Sequence, residues 1–432
     1  MVLRLWPSCL GILACLVIGW PSARALAASP LVSLRSLRSP APPGSGEPSL
    51  AVAPDGAVFL SWLEKRGAAH ALRVSRLEGQ GWRKPGTIAE GDSFFVNWAD
   101  CPVLLAVDSR RLAIAWPWKS GGATYAYDVR IAQSQDGGRT WSRPTVPHRD
   151  GTPTEHGFIS LVASPASPDR SPTDVRPTEP MGGGGVRAIW LDGRKAAADG
   201  AAGVADSHDE SHAEMTLRTA LLSPEGTLYD ERELDGRVCD CCQTAAVVVV
   251  RGLVVAYRDR SPDEIRDISV VRLEDGRWSE PHALHPDGWK IQGCPVNGPS
   301  LDARGHRVAV AWYTMAADSA RVLVSFSSDG GRTFDPPIRV DDGDPLGRTD
   351  VVLLEDGSAL VVWLETQGQE ARILGRGVTS DGSRSPAFTV ARTAAARSSG
   401  FPRTVRSGRR LIFAWTDAGK PARVRVAEAE VP

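Results

Sequence analysis

Seven times along the chain, an apolar run, a tight turn carrying Gly, Asp or Arg, and a second apolar run ending in an aromatic residue follow one another. The copies read PSLAVAPDGAVFLSW to Trp62, CPVLLAVDSRRLAIAW to Trp116, VRAIW to Trp190 and TAAVVVVRGLVVAY to Tyr257. They continue as GPSLDARGHRVAVAW to Trp312, VVLLEDGSALVVW to Trp363 and FPRTVRSGRRLIFAW to Trp415. These aromatics stand 51 to 74 residues apart, the widest interval holding a Pro/Gly-rich insertion at residues 164–185. The runs are β-branched and alternate with period two, and nothing sustains a helical period, so they predict strands. Most copies add a third and a fourth strand, such as ALRVSRL and WRKPGTI after Trp62, or ISVVRL and WSEPHAL after Tyr257. One four-stranded sheet cannot cover both its faces, whereas sheets stacked around an axis can. The pattern therefore predicts an all-β chain folded as a β-propeller of four-stranded blades, seven in number, with six as the alternative. The seventh copy stops after its third strand, ARVRVAEAEV, and LVSLRSL at residues 31–37 has no other partner. That segment is expected to close the ring as the missing outer strand.

The amino-terminal end sets the compartment. Arg4 precedes an apolar run at residues 10–18, followed by small residues at Ala23, Ala25 and Ala27. This is the pattern of a signal peptide over residues 1–27, leaving one domain over residues 28–432. The run is too short to span a bilayer as a helix, and an exported protein, periplasmic or secreted, is expected. The formal net charge of -1 over 432 residues lacks the basic field of a nucleic-acid binder. Five cysteines remain after the signal: Cys101, Cys239, Cys241, Cys242 and Cys294. Export permits disulfides, but an odd count leaves at least one thiol free or bound to something else.

Two turns carry a sharper signature. Ser134-Gln-Asp136-Gly-Gly138-Arg-Thr140-Trp141 and Ser327-Ser-Asp329-Gly-Gly331-Arg-Thr333-Phe334 share the pattern S-x-D-x-G-x-T-[W/F]. The Asp carboxylate can accept turn amide hydrogens, Gly takes a positive φ, and the aromatic plugs the hairpin. Degenerate versions occur at Glu274-Asp-Gly-Arg-Trp278 and Ser380-Asp-Gly-Ser383. These turns resemble the Asp boxes of the sialidase (BNR-repeat) superfamily, and the likeness in blade pattern covers nearly the whole mature chain. The resemblance implies that the boxes are structural and sit on the face away from the active site. Sialidases also carry an Arg-Ile-Pro near the first blade, three arginines for the sugar carboxylate, a Tyr–Glu nucleophile pair and an Asp acid/base. No Arg-Ile-Pro occurs here, so release of sialic acid is not expected. By analogy, Tyr257 beside Glu264 would form the nucleophile pair and Asp100 the acid/base, with Arg194, Arg258, Arg348 and Arg403 binding an anionic sugar. Tyr257 also fills the slot held by Trp in the other six repeats, which favours a place in the blade core.

Inner strands of a propeller begin at one face, reached by the loops between blades and by those joining second to third strands. The unusual residues fall in these loops: Asn97-Trp98-Ala-Asp100-Cys101, Glu155-His156-Gly-Phe158, Val238-Cys239-Asp240-Cys241-Cys242-Gln243, Trp289 through Cys294 to Asn297, and Arg348. All five cysteines are thus expected in one axial cluster, either as disulfides or as soft ligands for copper or zinc. His156 and His285 are possible additions to such a site, and His208 and His212 are expected to be solvated. Phe94, Phe95, Trp98, Phe158 and Trp289 could offer platforms to a glycan. Two functions emerge as expectations: a carbohydrate-binding or carbohydrate-cleaving funnel, or a non-catalytic metal- or redox-linked site on the cysteines.

Overall fold

The computed structural model describes residues 33–164, 185–195, 214–368 and 370–431. They form seven antiparallel sheets, each built outward from an inner strand. The inner strands are Ser45–Val52, Val103–Ala106, His156–Ala163, Ala245–Val249, Ser300–Arg304, Pro345–Leu353 and Arg403–Ser407. Each touches the inner strand of the next blade, and the seventh touches the first, so the chain is a closed seven-bladed propeller. Six blades have four or more strands; the second has three, its fourth position reduced to a bridge between Ile131 and Thr145. Pro144 at that edge cannot donate to a ladder. Ser33–Leu37 pairs antiparallel with Arg423–Glu430, from Ser33 opposite Glu430 to Leu37 opposite Val426. The expected ring closure is therefore observed. The proposed signal peptide, His208 and His212 lie outside the described residues.

The core is divided by blade interfaces. Seven apolar clusters each join two neighbouring sheets; Trp62 and Leu37, for example, meet Ile412 and Val424 where the seventh blade meets the first. Trp62, Trp116, Trp190, Tyr257, Trp312 and Trp363 are almost wholly buried at such seams. This is why one amphipathic pattern repeated seven times suffices: each sheet buries against its neighbour rather than against a central core.

The Asp boxes close the hairpins between third and fourth strands, on the face opposite the starts of the inner strands. Oδ1 of Asp136 accepts the amides of Arg139 and Thr140 at 2.9 Å each, and Oδ2 accepts the Thr140 hydroxyl at 2.7 Å. Asp329 repeats the arrangement with Arg332 and Thr333. Gly138 has φ +83°, which only glycine adopts without strain. On the other face several non-glycine residues take a left-handed backbone. Inner strands of the first, third and sixth blades each shift register just after a glycine. The next residues, Glu47, Phe158 and Arg348, have φ of 54°, 50° and 54°, and Val296 before the fifth inner strand has 48°. Bulges re-aim side chains, and non-glycine residues in the left-handed region cost about 1–3 kcal/mol each. These four stand around one mouth.

Candidate thiolate metal centre

The link from the third blade's outer strand to the fourth inner strand, Val238 to Thr244, carries three thiols on one tight turn. Sulfur separations are 3.6 Å for Cys239–Cys242, 3.7 Å for Cys239–Cys241 and 3.9 Å for Cys241–Cys242. A disulfide needs about 2.05 Å, and none of the five described cysteines is in a disulfide. Cys239 and Cys242 are buried and Cys241 partly so. The fourth thiol, Cys294, comes from the loop before the fifth blade and is exposed. Its Sγ lies 3.8 Å from Oδ1 of Asp240, and ligand atoms of Asp240, Cys241 and Cys294 all fall within 4.8 Å of one another.

Two arginines set the electrostatics. Arg266 donates to Sγ of Cys239 at 3.4 Å and pairs with Asp240 and Glu264 at 3.3 and 3.0 Å. Arg258 is buried and makes no carboxylate ion pair among the described residues. Its guanidinium donates to the carbonyls of Asn297, Arg266 and Tyr313 and lies over the Trp289 ring at 4.9 Å. A buried cation met only by carbonyl oxygens still lacks a counter-charge. Its charge acts on the Cys242 thiol. Burial alone would raise that thiol, but hydrogen bonds from Cys239 and Cys241, the Arg258 charge and the Asn297 amide at 3.4 Å hold it well below the ordinary thiol value. Burial pushes Cys239 up to about 11. The three neighbouring sulfurs titrate as one coupled set, and the surroundings of Cys242 favour its thiolate form.

Gln243 fixes the turn across the mouth. Its Nε2 donates to the Ala99 carbonyl at 2.7 Å, and its Oε1 accepts the Gly298 amide at 3.1 Å. At Gly298 a Cβ would stand 2.1 Å from the Gln243 carbonyl, so no side chain fits where the two loops meet. Asn297 completes the brace by accepting the Arg348 amide at 2.7 Å.

The structure rearranges several sequence expectations. Four cysteines gather rather than five: Sγ of Cys101 sits 3.4 Å from the Trp98 carbonyl within its own loop and belongs to neither thiol set. His156 lies against Asp150, stacked on His148, and His285 pairs with Asp287; neither joins the sulfurs. Tyr257 donates to Asp235 at 2.5 Å, whereas Glu264 is bound by Arg260, Arg266 and Arg237, so the two do not form a pair. Asp100 instead meets Tyr127, whose hydroxyl stands 2.8 Å from both Asp100 and Glu155. One hydroxyl proton cannot serve two carboxylates. Burial accordingly pushes Asp100 up to about 7 and Glu155 to about 8. Among the arginines, Arg194 is held by Asp192, Asp150 and Glu231. Arg348 donates to the carbonyls of Ala396 and Gly400 and covers the Trp98 ring at 4.7 Å. Arg403 lies over Phe401. Trp289 is buried under Arg258, while Trp98 stacks on Phe401 with ring centres 6.0 Å apart. Sequence reasoning missed Tyr127, Gln243 and Gly298 as site residues; only the motif spacing C-x-C-C-Q pointed near one of them.

Fold and site together define a seven-bladed β-propeller with Asp-box turns on one face and a thiol cluster at the mouth of the other. No family model and no curated protein matches the chain. Among solved structures it is similar to an ulvan lyase bound to its polysaccharide fragment, at 11% identity over 92% of this chain and 94% of that one, TM-score 0.54. A Dyadobacter fermentans protein of unknown function aligns at 12% identity over 94% of this chain and 100% of that one, TM-score 0.50. The polysaccharide lyase Uly1 aligns at 8% identity over 89% and 90%, TM-score 0.50. At such identities the likeness is one of fold.

Proposed function

We propose that this is an exported metal-binding propeller that holds a copper(I) ion on Cys239, Cys241 and Cys242. The observation that carries the reading is the trio of sulfurs 3.6–3.9 Å apart beside a buried arginine that meets no carboxylate among the described residues. A metal about 2.3 Å from each of three sulfurs leaves them about 3.8–4.0 Å apart, so the cluster is close to ligand geometry before any ion arrives. Soft thiolates favour copper(I), with zinc the competitor. Three thiolates around copper(I) carry a net double negative charge, which Arg258 and Arg266 are placed to offset. Export strengthens the reading, because adjacent thiols in an oxidising compartment oxidise unless a ligand holds them.

The test is anaerobic loading of the purified protein with copper(I) and elemental analysis. About one equivalent should bind and Cys242→Ser should remove it. A protein that takes up no metal, and whose thiol count rises by two on reduction, would instead be a dithiol redox protein using the C-x-x-C spacing of Cys239 and Cys242. A second reading, glycan binding at the same mouth, is favoured by the half-buried Trp98 stacked on Phe401 and by the polysaccharide lyases that share the fold. Calorimetry with ulvan oligosaccharides, comparing wild type with Trp98→Ala, decides it.

A further inference from the structure

Two thiol-bearing donor sets, not one, lie at the mouth, and they share a residue. The inner set is Cys239, Cys241 and Cys242; the outer set is Asp240, Cys241 and Cys294. Their exposure is graded: Cys294 is exposed, Asp240 and Cys241 partly buried, and Cys239 and Cys242 buried. The two sets also come from different blades, the outer one spanning the gap between the fourth-blade turn and the fifth-blade loop. Pure storage gains nothing from a second, half-wet set beside a complete buried one. From this shared-ligand arrangement we infer that the site is a transfer site, in which copper(I) enters from a thiolate-bound donor at Cys294 and Asp240 and passes through Cys241 to the buried trio. The inference rests on the metal-binding reading above.

The exchange balances at each step. A bond forms between copper and the Cys294 sulfur as one bond to the donor's thiolate breaks, and the Cys294 proton leaves with that departing thiolate. Cys241 then bonds the same ion as the remaining bond to the donor breaks, its proton leaving with that thiolate; the bond to Cys294 breaks when Cys242 and Cys239 complete the inner set, one released proton returning to the Cys294 sulfur and any other passing to water. Copper stays in the +1 state throughout, so no oxidant or reductant is needed. Cys242 is the natural terminus, since it is buried and its sulfur accepts the Asn297 amide at 3.4 Å. Asp240 keeps the outer set anionic without adding a further soft ligand, which makes it a weaker resting place than three sulfurs. The ion therefore runs from a weaker, wetter site to a stronger, dry one. Gln243 and Gly298, which lock the turn and the fifth-blade loop together, hold the two sets in register.

The experiment uses the full mature protein and copper(I)–glutathione as donor, with uptake followed by stopped-flow absorbance and affinity measured by competition with bathocuproine disulfonate. Cys294→Ser should slow uptake by about tenfold or more while leaving the dissociation constant within about threefold, because rate and equilibrium are set by different sets. Cys242→Ser should abolish stable binding, and Cys101→Ser, on the same face but outside both sets, should change neither quantity. In the loaded wild type, iodoacetamide should modify Cys294 and spare the trio. If Cys294→Ser weakens affinity as much as Cys241→Ser does, Cys294 is an equilibrium ligand and the transfer inference is wrong. Unchanged uptake in Cys294→Ser overturns it equally, leaving the metal-binding reading intact. A wild type that binds no copper(I) overturns both.

Discussion

Replacing Asp100 by asparagine removes a carboxyl group that the fold keeps neutral at a cost. Asp100 is buried, accepts the Tyr127 hydroxyl at 2.8 Å, and shares that single proton with Glu155. Its acid value rises from 3.8 to about 7, burial being the main cause, with hydrogen bonds from the Phe158 amide and Tyr127 opposing it. A carboxyl raised in the fold contributes full stability only below its unfolded value, and that contribution is lost as pH rises toward the folded value. At 1.36 kcal/mol per unit, the cost is near zero at pH 3, about 1.5 kcal/mol at pH 5, and levels off at about 4 kcal/mol by pH 8. Coupling to Glu155 makes these upper bounds. Asparagine keeps an oxygen acceptor for Tyr127 and the Phe158 amide while carrying no charge. Asp100→Asn should therefore stabilise the protein in urea unfolding by about 2–3 kcal/mol more at pH 8 than at pH 5. A gain equal at both pH values, or a loss at pH 8 alone, would mean that the charge is compensated and the burial argument fails.

Three further outcomes are expected. Asp329→Ala removes four hydrogen bonds from an exposed turn and should cost about 1–2 kcal/mol in urea unfolding, leaving copper uptake unchanged; the carboxylate contribution it removes exists above pH 4 and fades as pH falls toward about 2. Deleting residues 29–39 strips the outer strand from the seventh blade and takes Leu37 out of the seam with Trp62; thermal unfolding should show a midpoint lowered by many degrees, and an unchanged midpoint would refute closure by that strand. The protein should release no sialic acid from α-linked substrates, and Tyr257→Phe should lower stability by about 1–2 kcal/mol through the lost bond to Asp235, a result checked by a fluorogenic assay alongside urea unfolding.

The repeat by itself determined the architecture. Alternating apolar residues and turn glycines are local properties, and seven copies leave each sheet one way to bury its faces: against the next sheet, around to the first. The same reasoning placed Cys239, Cys241, Cys242 and Cys294 on one face, because chain direction alone decides at which end an inner strand begins. Which side chains meet across that face was not legible. The loops carry no period, and their contacts depend on the ring's diameter and on bulges at Glu47, Phe158 and Arg348 that re-aim the neighbouring side chains. Hence Cys101, equally well placed in the sequence, ends apart from the other sulfurs, and Tyr127 rather than Tyr257 meets Asp100 and Glu155. The arginines show the reason most plainly. A count of charges made Arg194, Arg258 and Arg348 look available to an anion, but the folded blades bring carboxylates to Arg194 and carbonyls to the other two. A buried guanidinium must be satisfied by whatever the neighbouring blade presents, and only the tertiary structure decides what that is.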